Sequence, residues 1–276
     1  MLYTVDNNKI LIEDTENFVP KDIIECGQVF RYLKDDLSYK IFSKNLFCSL
    51  IYVKDRVIIE TTNVDYFVNY FDLNRDYGAI KKALLGYPEV KKSISVAKGL
   101  RILNQDPIET IISFIISANN NIPRIQGIID RLCKGAGEDM GGYFAFPTID
   151  DLLHKPTSFY KDIGAGYRAT YLTKTVDALA HGFQIDIADM DTPTARKHLM
   201  TLTGVGRKVA DCILLFGYHR TDVFPTDTWI EKVYDNLYGE SNLSAIKKSD
   251  IFTSRFGELS GYAQQYLFYS ARERFI

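Results

Sequence analysis

The hydrophobic periodicity of this chain changes near Val64, and that change constrains the fold more than any other feature. Before it, YKIFSKNLFCSLIYV from Tyr39 and DRVIIETT from Asp55 combine short alternating runs with β-branched and aromatic residues, which is typical of antiparallel strands. After it, DYGAIKKALLG and KSISVAKGLRIL have the spacing of amphipathic helices. The sequence therefore predicts an α+β fold, in which an N-terminal antiparallel β-sheet precedes a mainly α-helical body.

The helical pattern continues to the end of the chain. After Asp106-Pro107, one apolar helix stops at the Asn run and a second starts near Pro123. The further predicted helical segments are IDDLLHKP, SFYKDIGAG, RATYLTKTVDALAHG, TARKHLMTL, RKVADCILLFGY, TWIEKVYDNLYG and LSGYAQQYLFYSARERF. We predict an N-terminal sheet domain with flanking helices over residues 1–98 and a helical body over residues 99–276.

Composition excludes several classes of protein. The 276 residues are 46% hydrophobic and 25% charged, as in ordinary globular proteins, and no apolar stretch is long enough to span a bilayer. The N-terminus does not resemble a signal peptide. We therefore expect a cytoplasmic or nucleoid protein if the source is prokaryotic, or a nuclear one if it is eukaryotic, and no secretion.

Neither the cysteines nor the histidines form a ligand pattern. No C-x-x-C pair occurs, so a zinc ribbon or a cysteine-ligated cluster is not expected, and we predict no cofactor. The net charge of −2 argues against nonspecific coating of nucleic acid. It is compatible with a protein that grips DNA through a few local cations and backbone amides.

A two-glycine turn between two predicted helices is the most informative motif. The helix TARKHLMTL enters the turn Gly204-Val205-Gly206, and RKVADCILLFGY leaves it. Glycines allow close backbone approach, and the free amides at the start of the second helix suit a DNA phosphate. A tight helical hairpin with a glycine C-cap is the alternative. Pro225 and Asp227 follow 17 and 19 residues after Lys208 and favour the DNA-binding interpretation, in a unit spanning about residues 192–232.

Lys208 and Asp227 are the candidate catalytic pair. Lys208 falls in the first turn of its helix, where the helix dipole disfavours an ammonium ion, and a neutral amine can attack C1′ of a deoxyribose. A solvated lysine paired with Asp211 is the alternative. Asp227 precedes a helix and suits an N-cap, and an ionised carboxylate there would stabilise an oxocarbenium-like sugar.

The chain resembles the 8-oxoguanine DNA glycosylase family, whose members are bifunctional glycosylase/lyases with a helix-hairpin-helix motif. The resemblance appears in blocks that keep the family's order: Cys26–Arg31, Asn104–Glu109, Ser117–Arg124, Gly166–Ala169, Gly204–Asp227 and Tyr262–Phe268. It implies that Lys208 and Asp227 are catalytic. It also implies a monomer that acts on double-stranded DNA containing 8-oxoguanine opposite cytosine, away from membranes.

The resemblance also implies the residues that bind the base and the DNA. Gly27 supplies a carbonyl to N7–H of the lesion, Cys212 and Phe268 sandwich the base, and Gln264 binds its Watson–Crick edge; Phe216 and Pro225 lie near this pocket. Residues implied to contact DNA are Asn119, Arg124, Tyr167, Arg168, Gly204, Gly206 and Val209. A monovalent cation could bind the backbone carbonyls of Met200, Leu202 and Val205, although no side chain requires a metal.

Two positions depart from the family pattern. Trp229 replaces a histidine that contacts DNA, and Arg207 replaces a small polar residue before the lysine. We therefore expect altered phosphate contacts near the lesion and looser selectivity for the opposite base. Two other functions are weighed against 8-oxoguanine excision: a glycosylase of the same scaffold that removes alkylated purines, and a noncatalytic helix-hairpin-helix module that only holds phosphates.

Overall fold

The structure, a computed structural model, describes residues 3–53 and 55–273. Its N-terminal part is one antiparallel sheet of six strands in the order β1-β2-β6-β5-β4-β3. The strands are β1 Tyr3–Asp6, β2 Lys9–Ile12, β3 Tyr32–Lys34, β4 Ser38–Ser43, β5 Leu46–Val53 and β6 Arg56–Thr61. The predicted sheet is therefore confirmed, and both segments with the strand pattern lie within its strands and turns.

One face of the sheet is buried because alternate residues of its strands are apolar. Ile10 and Leu50 both lie opposite Ile59, from the two sides of β6, and all three are fully buried. They pack with Phe67 and Phe71, so the helix after the sheet covers this face. Burial of one face fixes the register, since a shift of one residue would turn the apolar set outward.

The rest of the chain is helical, as predicted. Two short 3₁₀ turns, Pro88–Val90 and Gly257–Leu259, lie between helices. The helices are α1 Pro20–Ile24, α2 Val64–Tyr70, α3 Tyr77–Leu84, α4 Lys91–Val96, α5 Pro107–Ser117, α6 Ile122–Ala136, α7 Ile149–Leu153, α8 Thr157–Asp162, α9 Arg168–Ala180, α10 Thr192–Leu199, α11 Arg207–Gly217, α12 Thr228–Tyr238, α13 Ala245–Phe256 and α14 Ser260–Arg272. No helix of residues 3–53 and 55–273 is long and apolar enough to cross a membrane.

Two segments differ from the predicted helices. The helix expected over KSISVAKGLRIL ends at Val96, because the chain at Gly99 packs directly on the backbone of Val19. A Cβ added to Gly99 would lie 2.2 Å from the Val19 nitrogen, and the Gly99 carbonyl accepts a hydrogen bond from that nitrogen at 3.1 Å. Helix α13, which Ser244 caps, was not predicted.

Helices α3 and α4, although they precede residue 98, contribute to the core of the helical body, whereas α1 and α2 pack with the sheet. Leu84, Val90 and Ile94 are buried in the same apolar cluster as α5, α11 and α14. The sheet has a separate cluster, which includes Leu103 from beyond the predicted boundary. Packing therefore divides the chain differently from sequence position, and the boundary at residue 98 stays a prediction.

Buried polar contacts join the sheet domain to the helical body. The Gln28 side chain donates to the Arg101 carbonyl at 2.7 Å and accepts from the Leu103 amide at 2.9 Å. The buried Arg31 guanidinium donates to Glu109 on α5 at 3.2 Å. Because Gln28 and Arg31 follow Gly27 within four residues, these contacts fix its loop against the helices.

Candidate active site

The two glycines of the hairpin between α10 and α11 have different structural roles. Gly204 has φ +89°, and a Cβ there would lie 2.8 Å from the Tyr171 ring, so this position requires glycine. Gly206 is exposed, with open space around it, and caps α11 without a side-chain hydrogen bond. The first amides of α11 therefore receive no side-chain cap from Gly206, which leaves them suited to a phosphate.

An ion-pair network fixes the start of α11. The buried Asp211 carboxylate accepts from Arg196 on α10 at 2.5 Å and from Arg207 at 2.9 Å. Arg207 also donates to Asp250 on α13 at 2.9 Å. The alternative in which Lys208 pairs with Asp211 is wrong, since two arginines occupy that carboxylate. Arg207 is likewise engaged within the protein.

One small cavity brings together all eight residues predicted to be catalytic or to bind the base. Its volume is about 40 Å³, and Phe114 and Gln265 also line it. The predicted residues in its wall are Gly27, Lys208, Cys212, Phe216, Pro225, Asp227, Gln264 and Phe268. They come from the Gly27 loop, α11, the segment before α12 and α14, so their meeting is a product of the tertiary fold.

The Lys208 amine faces an aromatic ring and a thiol. Its Nζ lies 5.4 Å from the centroid of the Phe114 ring. Burial raises the pKa of the Cys212 thiol to about 11, although the nearby Lys208 opposes this shift. Within residues 3–53 and 55–273, no carboxylate oxygen lies within 4.0 Å of Lys208. The amine therefore shares a cavity with Asp227 without being tied into an ion pair.

Asp227 caps helix α12, as predicted. Its Oδ1 accepts from the amides of Trp229 and Ile230, both at 3.0 Å. Two amides and the positive end of the helix dipole stabilise a carboxylate. The cap thus holds an anion at the wall of the cavity that contains Lys208.

The carbonyl of Gly27 is the unpaired member of a short series. The Glu25 carbonyl accepts from Arg272, and the Cys26 carbonyl accepts from Gln265 at 3.0 Å. Among the described residues no donor contacts the carbonyl of Gly27. Position 27 also requires glycine, since its φ is +80° and a Cβ would lie 3.1 Å from Phe268. The loop therefore offers one free acceptor at the cavity.

Two lining residues were missed by sequence reasoning. Phe114 on α5 stacks on Phe216, with ring centroids 5.4 Å apart and planes 16° apart, and also faces Lys208. Gln265 holds the Cys26 carbonyl. Phe114 has only the appearance of a core residue in sequence, while Gln265 stands beside Gln264 within the family-like block that ends at Phe268.

The residues expected to occupy the vacated base stack form a second cluster. Asn119 is exposed with φ +49°, and the Tyr167 side chain is 54% exposed. Arg168 is buried beneath them and donates to the carbonyls of Ala118 and Asn119. Arg168 therefore holds the loop that presents Asn119, and its direct contact with DNA stays a prediction.

The other predicted DNA-binding residues have mixed exposure. Arg124 is exposed in the first turn of α6, whereas the Val209 side chain is buried, so Val209 could contact DNA only through its backbone. Trp229, which departs from the family pattern, is 36% exposed, and Lys232 lies over its ring at 5.2 Å. The Leu202 carbonyl, one of the predicted cation ligands with Met200 and Val205, already accepts from the Val205 amide.

Comparison with known proteins finds the same family from sequence and from structure. Residues 10–111 match the 8-oxoguanine DNA glycosylase N-terminal domain. A probable N-glycosylase/DNA lyase from Methanothermobacter thermautotrophicus is 33% identical over 227 residues, which cover 73% of this chain and 71% of that protein.

Two solved structures show how far the similarity extends. The 8-oxoguanine glycosylase/lyase of Clostridium acetobutylicum, in complex with double-stranded DNA containing cytosine opposite 8-oxoguanine, has a TM-score of 0.93 and 38% identity; the match covers 100% of this chain and 99% of that one. A 3-methyladenine DNA glycosylase from Archaeoglobus fulgidus has a TM-score of 0.76 over 95% and 98% of the two chains. At 17% identity, that second likeness shows the fold alone.

The geometry and the comparisons agree. A lysine and a helix-capping aspartate share a cavity with a free carbonyl, and a relative one third identical covers nearly three quarters of the chain. By this sequence similarity, this chain belongs to the 8-oxoguanine DNA glycosylase family.

Proposed function

We propose that this chain removes 8-oxoguanine from duplex DNA and then cuts the strand at the resulting site, with Lys208 as the nucleophile. The observation that carries the proposal is the single cavity lined by Lys208, Asp227 and Gly27, whose carbonyl has no partner among the described residues. Family membership supports the same substrate and the same two reactions.

The free carbonyl of Gly27 explains selection of the oxidised base. N7 of guanine is a hydrogen-bond acceptor, so a fixed carbonyl repels it. Oxidation at C8 places a hydrogen on N7, which turns the same position into a donor. Gly27 therefore favours the lesion and leaves two acceptors facing each other when normal guanine enters.

The lesion must leave the base stack before the enzyme can act on it. Exposed Asn119 and Tyr167, with Arg124 nearby in sequence, are suited to fill the gap and contact the opposite cytosine. The cavity of about 40 Å³ is far smaller than the roughly 300 Å³ of an ordinary ligand pocket. Phe268, which lies against the Gly27 loop, must therefore move when the base enters.

The chemistry then proceeds in two stages. The lone pair of the Lys208 amine bonds to C1′, and the electron pair of the glycosidic bond leaves with the base, which takes up a proton. Asp227 stabilises the positive charge that develops on the sugar. As the sugar ring opens to a Schiff base, the nitrogen gives up two protons, of which one goes to the departed base and the other to the ring oxygen O4′. Loss of a C2′ proton then expels the 3′ phosphate by β-elimination and nicks the strand.

The two alternative functions lack a supporting observation. An alkylpurine glycosylase has no use for a carbonyl directed at an N7 hydrogen. A noncatalytic module would leave Lys208 and Asp227 without a common purpose, although they line one cavity. Excision of alkylated purines without any activity on 8-oxoguanine would nevertheless decide for the first alternative.

Borohydride trapping tests the proposal. The native protein is mixed with duplexes that carry 8-oxoguanine opposite each of the four bases, and the released base and the nicked strand are measured in parallel. We expect a covalent adduct with the native chain, none with Lys208→Gln, and an unchanged yield with Lys134→Gln, which alters an exposed lysine on α6. No adduct with the native chain, or an equal adduct with Lys208→Gln, would refute it.

A further inference from the structure

We propose that Arg272, the last residue of α14, recognises the oxidised base by donating a hydrogen bond to its C8 carbonyl oxygen. This inference rests on the proposed function and adds a residue that neither the sequence motifs nor the family pattern assign. It is carried by two buried polar atoms that have no partner among the described residues and belong to the residues four positions before and four positions after Phe268 on α14.

The two unpartnered atoms have opposite hydrogen-bonding character. Gln264 Oε1 is a buried acceptor and Arg272 Nη1 is a buried donor, and neither has a hydrogen-bond partner within the described part of the chain. The amide orientation of Gln264 is fixed because its Nε2 donates to the Pro225 carbonyl at 3.1 Å. Buried polar groups without partners are costly, so a ligand that supplies both partners is favoured.

Their spacing along α14 leaves room for a purine with a hydrogen bond at each end. Gln264, Phe268 and Arg272 follow one another at intervals of four residues, so they lie on successive turns, and the outer two are about 12 Å apart along the axis. Guanine presents N1–H and its amino group at the Watson–Crick edge, which suits the free acceptor of Gln264. The opposite edge, with N7 and C8, then lies toward Arg272.

The Gly27 loop indicates which protein atoms face the N7 and C8 edge of the base. A Cβ on Gly27 would lie 3.4 Å from Arg272 Nη1, so the guanidinium stands beside the residue whose carbonyl is free. An acceptor and a donor thus lie side by side in the protein. The lesion carries the matching pair side by side, since N7–H is a donor and the C8 oxygen is an acceptor. Normal guanine has no oxygen at C8.

The guanidinium is positioned before any base arrives. Its Nη2 donates to the Glu25 carbonyl and to the Glu273 carboxylate at 3.0 Å, and its carbon lies 5.9 Å from the centroid of the Phe268 ring. Nη1 has no partner among the described residues, and because Arg272 does not itself line the cavity, a base reaches it only when Phe268 moves. A pre-positioned charged donor gives a strong and directional hydrogen bond at a low cost in conformational entropy.

The first test compares two activities of one variant. Arg272→Met and the control Arg255→Met, which alters an arginine that lies over Tyr87 and pairs with Glu89, are assayed under single-turnover conditions. Each is given a duplex with 8-oxoguanine opposite cytosine and a duplex with a preformed abasic site. We expect Arg272→Met to lower the ratio of excision to abasic-site cleavage about 10- to 100-fold, as for loss of a charged hydrogen bond, and Arg255→Met to leave that ratio unchanged.

The second test separates a contact with C8 from an indirect effect through the Gly27 loop. The oxygen at C8 is replaced by sulfur, a weaker acceptor, by using 8-thioguanine. We expect the native chain to prefer 8-oxoguanine over 8-thioguanine more strongly than Arg272→Met does. Equal preferences, or equal loss of both activities in the first test, would overturn the role of Arg272. Failure of the native chain to excise 8-oxoguanine would instead refute the proposed function.

Discussion

Replacing Gly27 by alanine perturbs both the backbone and the base pocket. The residue has φ +80°, where a side chain is strained, and the new Cβ would lie 3.1 Å from Phe268 Cε1 and 3.4 Å from Arg272 Nη1. The variant Gly27→Ala therefore tests whether this loop is a plain turn or one wall of the recognition site.

The structure gives separate magnitudes for the two effects. Left-handed backbone strain on alanine lowers the free energy of unfolding by about 1–2 kcal/mol. The added methyl group would also crowd Phe268 Cε1 at 3.1 Å, at the wall of a cavity of only about 40 Å³. A misplacement of about 1 Å can lower a catalysed rate about 100-fold, so we expect excision to fall by at least that factor.

Chemical denaturation and single-turnover excision of 8-oxoguanine measure the two effects independently. Gly182→Ala is the matched control, because Gly182 has φ +97° and a Cβ there would meet nothing within 4 Å. Both variants should lose about 1–2 kcal/mol through the backbone strain that they share, and Gly27→Ala should lose somewhat more because its Cβ also crowds Phe268. Only Gly27→Ala should lose excision.

Either of two results would refute this role of Gly27. Excision by Gly27→Ala within a few-fold of the native rate would show that the lesion does not contact this loop. An equal loss of excision in Gly27→Ala and Gly182→Ala would show that the effect comes from stability alone.

Three further predictions follow from the surroundings of the site. Asp211→Asn should lower the free energy of unfolding by about 3–5 kcal/mol, because it breaks a buried ion pair. Asp130→Asn, which breaks an exposed ion pair, should lower it by less than about 1 kcal/mol. Equal losses in denaturant titrations would contradict this prediction. Burial raises the pKa of the Cys212 thiol to about 11. The rate of its alkylation by iodoacetamide should therefore be low near neutral pH and increase toward about pH 11. A rate that reaches half its maximum near the ordinary thiol pKa would disprove this prediction. Arg168→Met removes donors to the Asn119 loop and should lower the free energy of unfolding by about 1–3 kcal/mol. It should also weaken the preference for cytosine over adenine opposite the lesion. An unchanged preference in excision assays would show that this loop does not select the opposite base.

Local features of the fold could be predicted from the sequence because they depend on neighbours along the chain. Alternation marked the strands, the four-residue spacing of apolar side chains marked most of the helices, and Asp227 was predicted as an N-cap, which its bonds to two amides confirm. Gly204 was expected at the hairpin turn, where its φ of +89° requires glycine. Motif resemblance added the list of residues that line the cavity.

Other features were decided by contacts between distant parts of the chain. Helix α4 ends at Val96 because Gly99 packs on the backbone of Val19, which no local pattern shows. Asp211 pairs with Arg196 on α10 and with Arg207 one turn away on α11, rather than with Lys208. The two arginines supply a donor to each oxygen of the buried carboxylate, which burial requires.

The sequence by itself determined the α+β class, the hairpin and the identity of the candidate nucleophile and its carboxylate, because periodicity, capping and glycine conformation act over a few residues. Only the tertiary structure decided which polar atoms remain without partners. The free carbonyl of Gly27 and the free donor of Arg272 lie 245 positions apart in a chain of 276 residues, and long-range packing of the first loop on the last helix places them side by side.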